Sequence, residues 1–247
     1  MSNFKISKQT EAEKDEFLME CFHDTGLIKS LIQSNFSIIS GRKGTGKTAL
    51  ARYLEQNSKS YGIDCVIRVS VRNISLGLDE NKKDHVNSIL FFVIIKIIQK
   101  LLEENIFTGT AKEHWVNFLT QNSLQNVSDY ETFFESKKEN KTGFSISGLI
   151  SSFFVKAEGK ANTEDGSTFS RTGISNTPSS LIEALRQSFP ESKTLLVFLD
   201  DITDYLDISE ETRVNKEISI LQDLLLKLEL FNSTFADSNK RLRLSLW

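Results

Sequence analysis

The chain has 247 residues, 39% hydrophobic and 26% charged, which is enough apolar material for a sizeable core and excludes global disorder. Its 30 basic and 33 acidic residues leave a net charge of −3, which argues against a nucleic-acid footprint over the whole molecule and leaves open only a local basic patch. Cys21 and Cys65 are its only cysteines and form neither a C-x-x-C pair nor a metal cluster with His23, His85 or His114, so two reduced thiols of a cytoplasmic protein are expected.

Residues 1–34 read as a helical lead-in. Met1 to Glu16 is polar and charged and lacks the apolar stretch of a signal peptide. Phe17, Leu18, Cys21, Phe22, Leu27, Ile28, Leu31 and Ile32 follow with helical spacing, broken at Gly26. In nucleotide switches a segment at this position often lies over the base, and the same is expected here.

Phe36 to Ile39 is a short apolar run, read as a buried strand. It breaks at Gly41, and a helix is expected from near Gly46. Gly41, Gly46, Lys47 and Thr48 fill the pattern G-x-x-x-x-G-K-[ST]. Glycines let the backbone curl so that several N–H groups face inward, and a helix N-terminus adds positive potential. Gly41, Arg42, Lys43, Gly44, Thr45, Gly46, Lys47, Thr48 and Ala49 are therefore the expected phosphate cradle. Lys47 is expected to reach the β- and γ-phosphates, and the Thr48 hydroxyl to ligate Mg²⁺. The competing explanation is a chance match in a glycine-rich turn; the strand–loop–helix context weighs against it.

A helix over Thr48 to Leu54, a turn over Asn57 to Gly62 and a strand over Cys65 to Val71 come next. The loop from Asn73 to Asp84 contains Asn81-Lys82-Lys83-Asp84, a match to the guanine-reading N-K-x-D. No D-x-x-G precedes it, and in a GTPase it would follow a later strand, so a solvated loop is preferred. Val86 to Glu104 is apolar nearly all round and reads as a buried helix. Lys96, Gln99 and Lys100 interrupt it, so it is read as falling short of a membrane span. Trp115, Phe118 and Leu119 mark a further helix, and Tyr130 to Lys138 another.

Residues 140–178 change in texture and hold five of the 12 glycines. They read as an insertion of one or two strands and a mobile loop, or as a plain surface loop. Ser180 to Ser188 is a helix ended before Pro190. Thr194-Leu-Leu-Val-Phe-Leu-Asp-Asp201 is then an apolar run capped by two acids. A continuous apolar run suits a parallel strand covered on both faces, and its C-terminal tip is where open α/β sheets bind ligands. Asp200 is assigned to Mg²⁺, and Asp201 to the attacking water. Asp207 and Glu210 fit a capping box for a helix with Val214, Ile218, Leu221, Leu225 and Leu228 along its apolar side and Leu224 and Leu226 widening it. Asn232 to Lys240 reads as a loop and Arg241 to Trp247 as a final strand.

Together the glycine-rich loop (Walker A) and the Asp-tipped strand (Walker B) resemble the AAA+ and STAND-type P-loop ATPases, including their origin-recognition-like branch. Gly41-Arg-Lys-Gly-Thr-Gly-Lys-Thr-Ala-Leu50, with Glu20-Cys-Phe-His-Asp-Thr-Gly26, is similar to a bacterial P-loop ATPase family often found in defence or signalling gene clusters. The resemblance implies an α/β, three-layer P-loop NTPase fold with a mainly parallel sheet. It also implies ATP and Mg²⁺ as ligands, with catalytic roles for Lys47, Asp200 and Asp201 and metal ligation by Thr48 and Asp200. The expected function is an ATP-dependent switch that oligomerises or controls a protein partner, with antiviral defence as a setting. In that fold the strand at 241–247 lies between the two motif strands and leads to a sensor residue, so the chain is expected to be a truncated product or a fragment. Asp201 stands where vigorous AAA+ ATPases more often carry Glu. A nucleotide-binding module with negligible turnover, a P-loop kinase and a DNA-associated ATPase are the alternatives. Only Lys240, Arg241, Arg243 and the cluster at 137–141 hint at the last, and nothing points to a membrane.

Overall fold

The computed structural model describes residue 23 and residues 26–33, 37–38, 45–71, 82–133, 178–191, 193–200, 211–236 and 241–246. The elements run α1 (Leu27–Gln33), β1 (Ser37–Ile38), α2 (Lys47–Asn57), β2 (Cys65–Ser70), α3 (Lys82–Glu103), α4 (Gly109–Gln121), α5 (Pro178–Ser188), β3 (Thr194–Asp200), α6 (Glu211–Ala236) and β4 (Arg241–Leu246). The class is α/β. Among the described residues four strands form one parallel sheet, in the order β1-β4-β3-β2. The last strand in the chain thus lies between β1 and β3.

β3 explains its own sequence. Parallel partners flank it on both sides, so its backbone hydrogen bonds are used up in the sheet, and helices lie over both faces. Leu195, Val197 and Leu199 join one core, together with α3, α4, α5 and α6. Leu196 and Phe198 join a second core on the opposite face, with Ile28 and Leu31 of α1 and Leu50, Ala51 and Leu54 of α2. Side chains alternate along a strand, so a run apolar at every position is what two covered faces require.

α3 is the spine of the larger core. Ile89, Phe92, Val93, Ile94, Ile95, Ile97 and Ile98 are all fully enclosed. By length and composition this helix would pass as a membrane span, contrary to the expectation that it falls short, yet two-thirds of its apolar window is buried within the protein. Two of its polar residues are satisfied locally: Gln99 Nε2 donates to Leu124 O at 2.8 Å, and Lys96 Nζ to Val127 O at 3.1 Å. Burial holds the Lys96 ammonium below its ordinary pKa. α4 is fastened to α5 through Trp115 Nε1, which donates to Ser188 Oγ at 2.9 Å. Pro178 opens α5 at the first helical position, where a missing N–H costs nothing.

Three further expectations are corrected. Lys82–Asp84 belong to the first turn of α3 and not to a loop. α6 runs on to Ala236, so Asn232–Ala236 are helical. The buried line of α6 is Ile220, Leu224, Leu228, Phe231 and Phe235, whereas Ile218 is 41% and Leu226 65% exposed. The reason is aromatic packing. Phe231 and Phe235 lie 5.0 Å apart, and Phe235 meets Phe189 edge-on at 6.2 Å. These contacts lengthen the helix and set its rotation. The insertion at 140–178 is described only at Pro178, the first residue of α5. Phe36, Ile39, residues 134–138, Asp207, Glu210 and residues 237–240 are outside the described residues, as is Trp247.

Candidate functional site

The first turn of α2 carries the described part of the glycine-rich motif. Thr45 and Gly46 are exposed, Lys47 and Thr48 are half-buried, and Ala49 is buried. Gly41, Arg42, Lys43 and Gly44 are outside the described residues, as is Asp201. Gly46 is the residue before the helix and sits at φ +86°, ψ +13°. This left-handed conformation favours glycine, and among the described residues nothing lies within 4 Å of where a Cβ would stand. The helix starts at once, with Leu50 N–H donating to Gly46 O at 2.9 Å. Among the described residues no side chain caps it, and its first turn has no acidic residue. Its positive end is therefore not neutralised from within its own first turn, the arrangement that suits an anion.

Chain direction decides where this helix end lies. The C-terminus of α2 passes through one 3-10 turn, Ser58–Tyr61, straight into β2. That junction is tight: Ile63 N–H donates to Ser58 O at 3.0 Å, and Gly62 N–H to Lys59 O at 3.1 Å. α2 packs on the sheet through Leu50, Ala51 and Leu54. With 11 residues it is about 16 Å long, against roughly 20 Å for the six residues of β2. A helix joined to the start of a strand and laid back along it brings its own N-terminus to the strand's far end. Lys47 and Thr48 thus stand at the C-terminal edge of the sheet.

Asp200 stands at the same edge, half-buried, as the last residue of β3. One row of the sheet runs Ile38, Leu246, Leu199, Val69, and Asp200 is one residue beyond it. β1 and β3 are two strand spacings apart there, about 10 Å. Asp200 has the same parity as Leu196 and Phe198, so it is on the face that packs against α2. Val71 N–H donates to Asp200 O at 3.1 Å, pinning the tip of β3 to β2. Ser70 pairs with Asp200 in register. It was not among the sequence candidates; the one signal was a hydroxyl at the end of the strand, on the face of Val66 and Arg68.

Thr48 and Asp200 offer a hydroxyl and a carboxylate, oxygen donors that can hold a hard cation such as magnesium, which keeps several waters and takes few protein ligands. Among the described residues no group of three or more His, Cys, Asp and Glu is assembled into an all-protein metal cage. The opposite edge is built differently. Asp64 accepts from Lys193 Nζ at 2.7 Å and from Thr194 N–H at 2.8 Å. Burial raises the Asp64 pKa, but these bonds outweigh it and leave the carboxyl below its ordinary range. A cleft of about 410 Å³ opens there, lined by Lys59, Ile63, Asp64, Glu104, Ile106 and Lys193. No family model, curated protein or solved structure matches the chain.

Proposed function

We propose that the chain is an ATP-binding P-loop ATPase with a three-layer P-loop NTPase fold, acting as a nucleotide-dependent switch on a protein partner or on further copies of itself. The observation that carries the reading is the shared location of the α2 N-terminus and Asp200, at one edge and on one face of a parallel sheet. The strand order supports it as well. β4 separates β1 from β3, as the additional strand does in the ATPase division that the two motifs resemble.

In this reading the amides of residues 41–49 bind the phosphates and the Lys47 ammonium binds the β- and γ-phosphate oxygens. Thr48 and Asp200 hold magnesium, which neutralises charge on the phosphate oxygens when bound. Asp201 orients water. Adenine is preferred to guanine, since Lys82–Asp84 begin a core helix and come before β3, out of order for guanine recognition. A regulator of this kind fits the antiviral-defence setting that the resemblance implies.

Asp200→Asn tests the reading. ATP binding by the wild type is expected to strengthen with Mg²⁺, and the variant is expected to lose most of that Mg²⁺-dependent gain while still binding ATP in EDTA. ATP affinity that is indifferent to Mg²⁺ in both proteins would overturn the assignment of Asp200.

A further inference from the structure

Along β2, the residues on the α2 face are Val66, Arg68 and Ser70. Val66 is buried in the smaller core, and Arg68 and Ser70 are half-buried. On β3 the same face presents Leu196, Phe198 and Asp200, in register with those three. The row just below is fully apolar, with Val69 1% and Leu199 0% exposed. Arg68 is the first polar residue on the α2 face of β2, and at the strand tips, one step past that apolar row, a hydroxyl and a carboxylate are paired side by side. Parallel neighbours stand about 4.8 Å apart, and a serine hydroxyl and an aspartate carboxylate at that spacing are within reach of the roughly 2.7 Å of an O–H···O⁻ bond. The backbone is held for it: Val71 N–H donates to Asp200 O at 3.1 Å, carrying the ladder one residue past Ser70.

We propose that Ser70 is a positioning residue for the magnesium-binding carboxylate of Asp200. This rests on the nucleotide-binding reading given above. The Ser70 hydroxyl donates to one carboxylate oxygen and turns the other toward the cation, so its loss lowers cation affinity without touching the phosphate cradle. Residues one step removed from a metal typically change its affinity by about 10–100-fold, and the half-buried setting of Ser70 puts the expected effect near tenfold.

The test uses the full chain and a fluorescent N-methylanthraniloyl-ATP. Probe affinity is measured in EDTA, and then the Mg²⁺ concentration giving half of the Mg²⁺-dependent gain. Ser70→Ala is expected to raise that concentration about tenfold, with affinity in EDTA within twofold of wild type and an unchanged melting temperature. Ser70→Thr, which keeps the hydroxyl, is expected to restore the wild-type value. An unchanged Mg²⁺ midpoint in Ser70→Ala would overturn the role of Ser70 and leave nucleotide binding standing. An equal loss of affinity with and without Mg²⁺ would also overturn it, since that is the mark of a structural defect. A wild type that fails to bind the probe under any condition would overturn the underlying reading as well.

Discussion

Gly46→Ala separates the conformational demand of the loop from the stability of the fold. At φ +86° an alanine is strained, by about 1–2 kcal/mol. Its methyl group meets no described atom within 4 Å, so no steric cost is added. Restricting the unfolded chain returns about 0.4–1 kcal/mol. The net loss is then of order 1 kcal/mol, or about 2–4 °C in melting temperature for a domain of this size. Function should suffer more than stability. Relaxing the left-handed conformation re-aims the amides that open α2, and those amides are the proposed phosphate donors. ATP affinity is expected to fall at least tenfold while the protein still melts cooperatively within a few degrees of wild type. Differential scanning fluorimetry and calorimetric titration with ATP–Mg²⁺ read the two quantities. Unchanged melting and unchanged ATP affinity together would refute the left-handed conformation of Gly46 and the role given to it.

Burial, and next the Glu104 carboxylate, push the Cys65 thiol up to about 11. Native Cys65 should therefore alkylate with iodoacetamide at pH 8.5 roughly two orders of magnitude more slowly than in urea; peptide mapping showing rates within tenfold of each other would contradict its burial. Because the unfolded thiol ionises first, Cys65 also makes stability decline as pH rises from its ordinary range toward 11. Asp64 works in the opposite direction: its lowered pKa adds stability above the ordinary carboxylate value, lost as pH falls through the folded one. Asp64→Asn should lower the urea midpoint at pH 6 by the equivalent of about 1 kcal/mol or less, with less effect at pH 3; an equal effect at both would remove the Lys193 and Thr194 explanation. Turnover by the purified chain is expected below about 0.01 s⁻¹, because the side-chain cation assigned to the γ-phosphate, Lys47, comes from the phosphate-binding loop itself and a supplied arginine can add ~10³–10⁵ in rate. Asp201→Asn should lower it further with binding intact, and steady hydrolysis near roughly 1 s⁻¹ would contradict this.

The parts of the molecule legible in its residues were those where one physical demand admits one solution. Five apolar residues before Asp200 can only be a strand covered on both faces, and they are. The helix after Gly46 and the all-round apolarity of α3 are of the same kind. α6 shows the opposite case. Its leucines are dense enough that several stripes satisfy a period of 3.6, and only Phe189, Phe231 and Phe235, brought together by the fold, choose among them. Asn232, Ser233 and Thr234 resemble a loop by type. In place, Asn232 is buried, and the two hydroxyls bond back to Leu230 O at 2.7 and 2.9 Å, which the helix tolerates. Ser70 was invisible for another reason: its interest lies entirely in its partner, and strand register cannot be read from two segments about 130 residues apart.

Calorimetric titration of ATP–Mg²⁺ into the wild-type chain and into Lys47→Ala tests the central claim most directly. Lys47 is half-buried at the first position of α2, in the motif position whose ammonium serves the β- and γ-phosphates. Its loss should weaken ATP binding at least tenfold, about 1.4 kcal/mol, with the melting temperature unchanged in the absence of nucleotide. Equal affinity in the two proteins, or no binding by the wild type, would contradict the account.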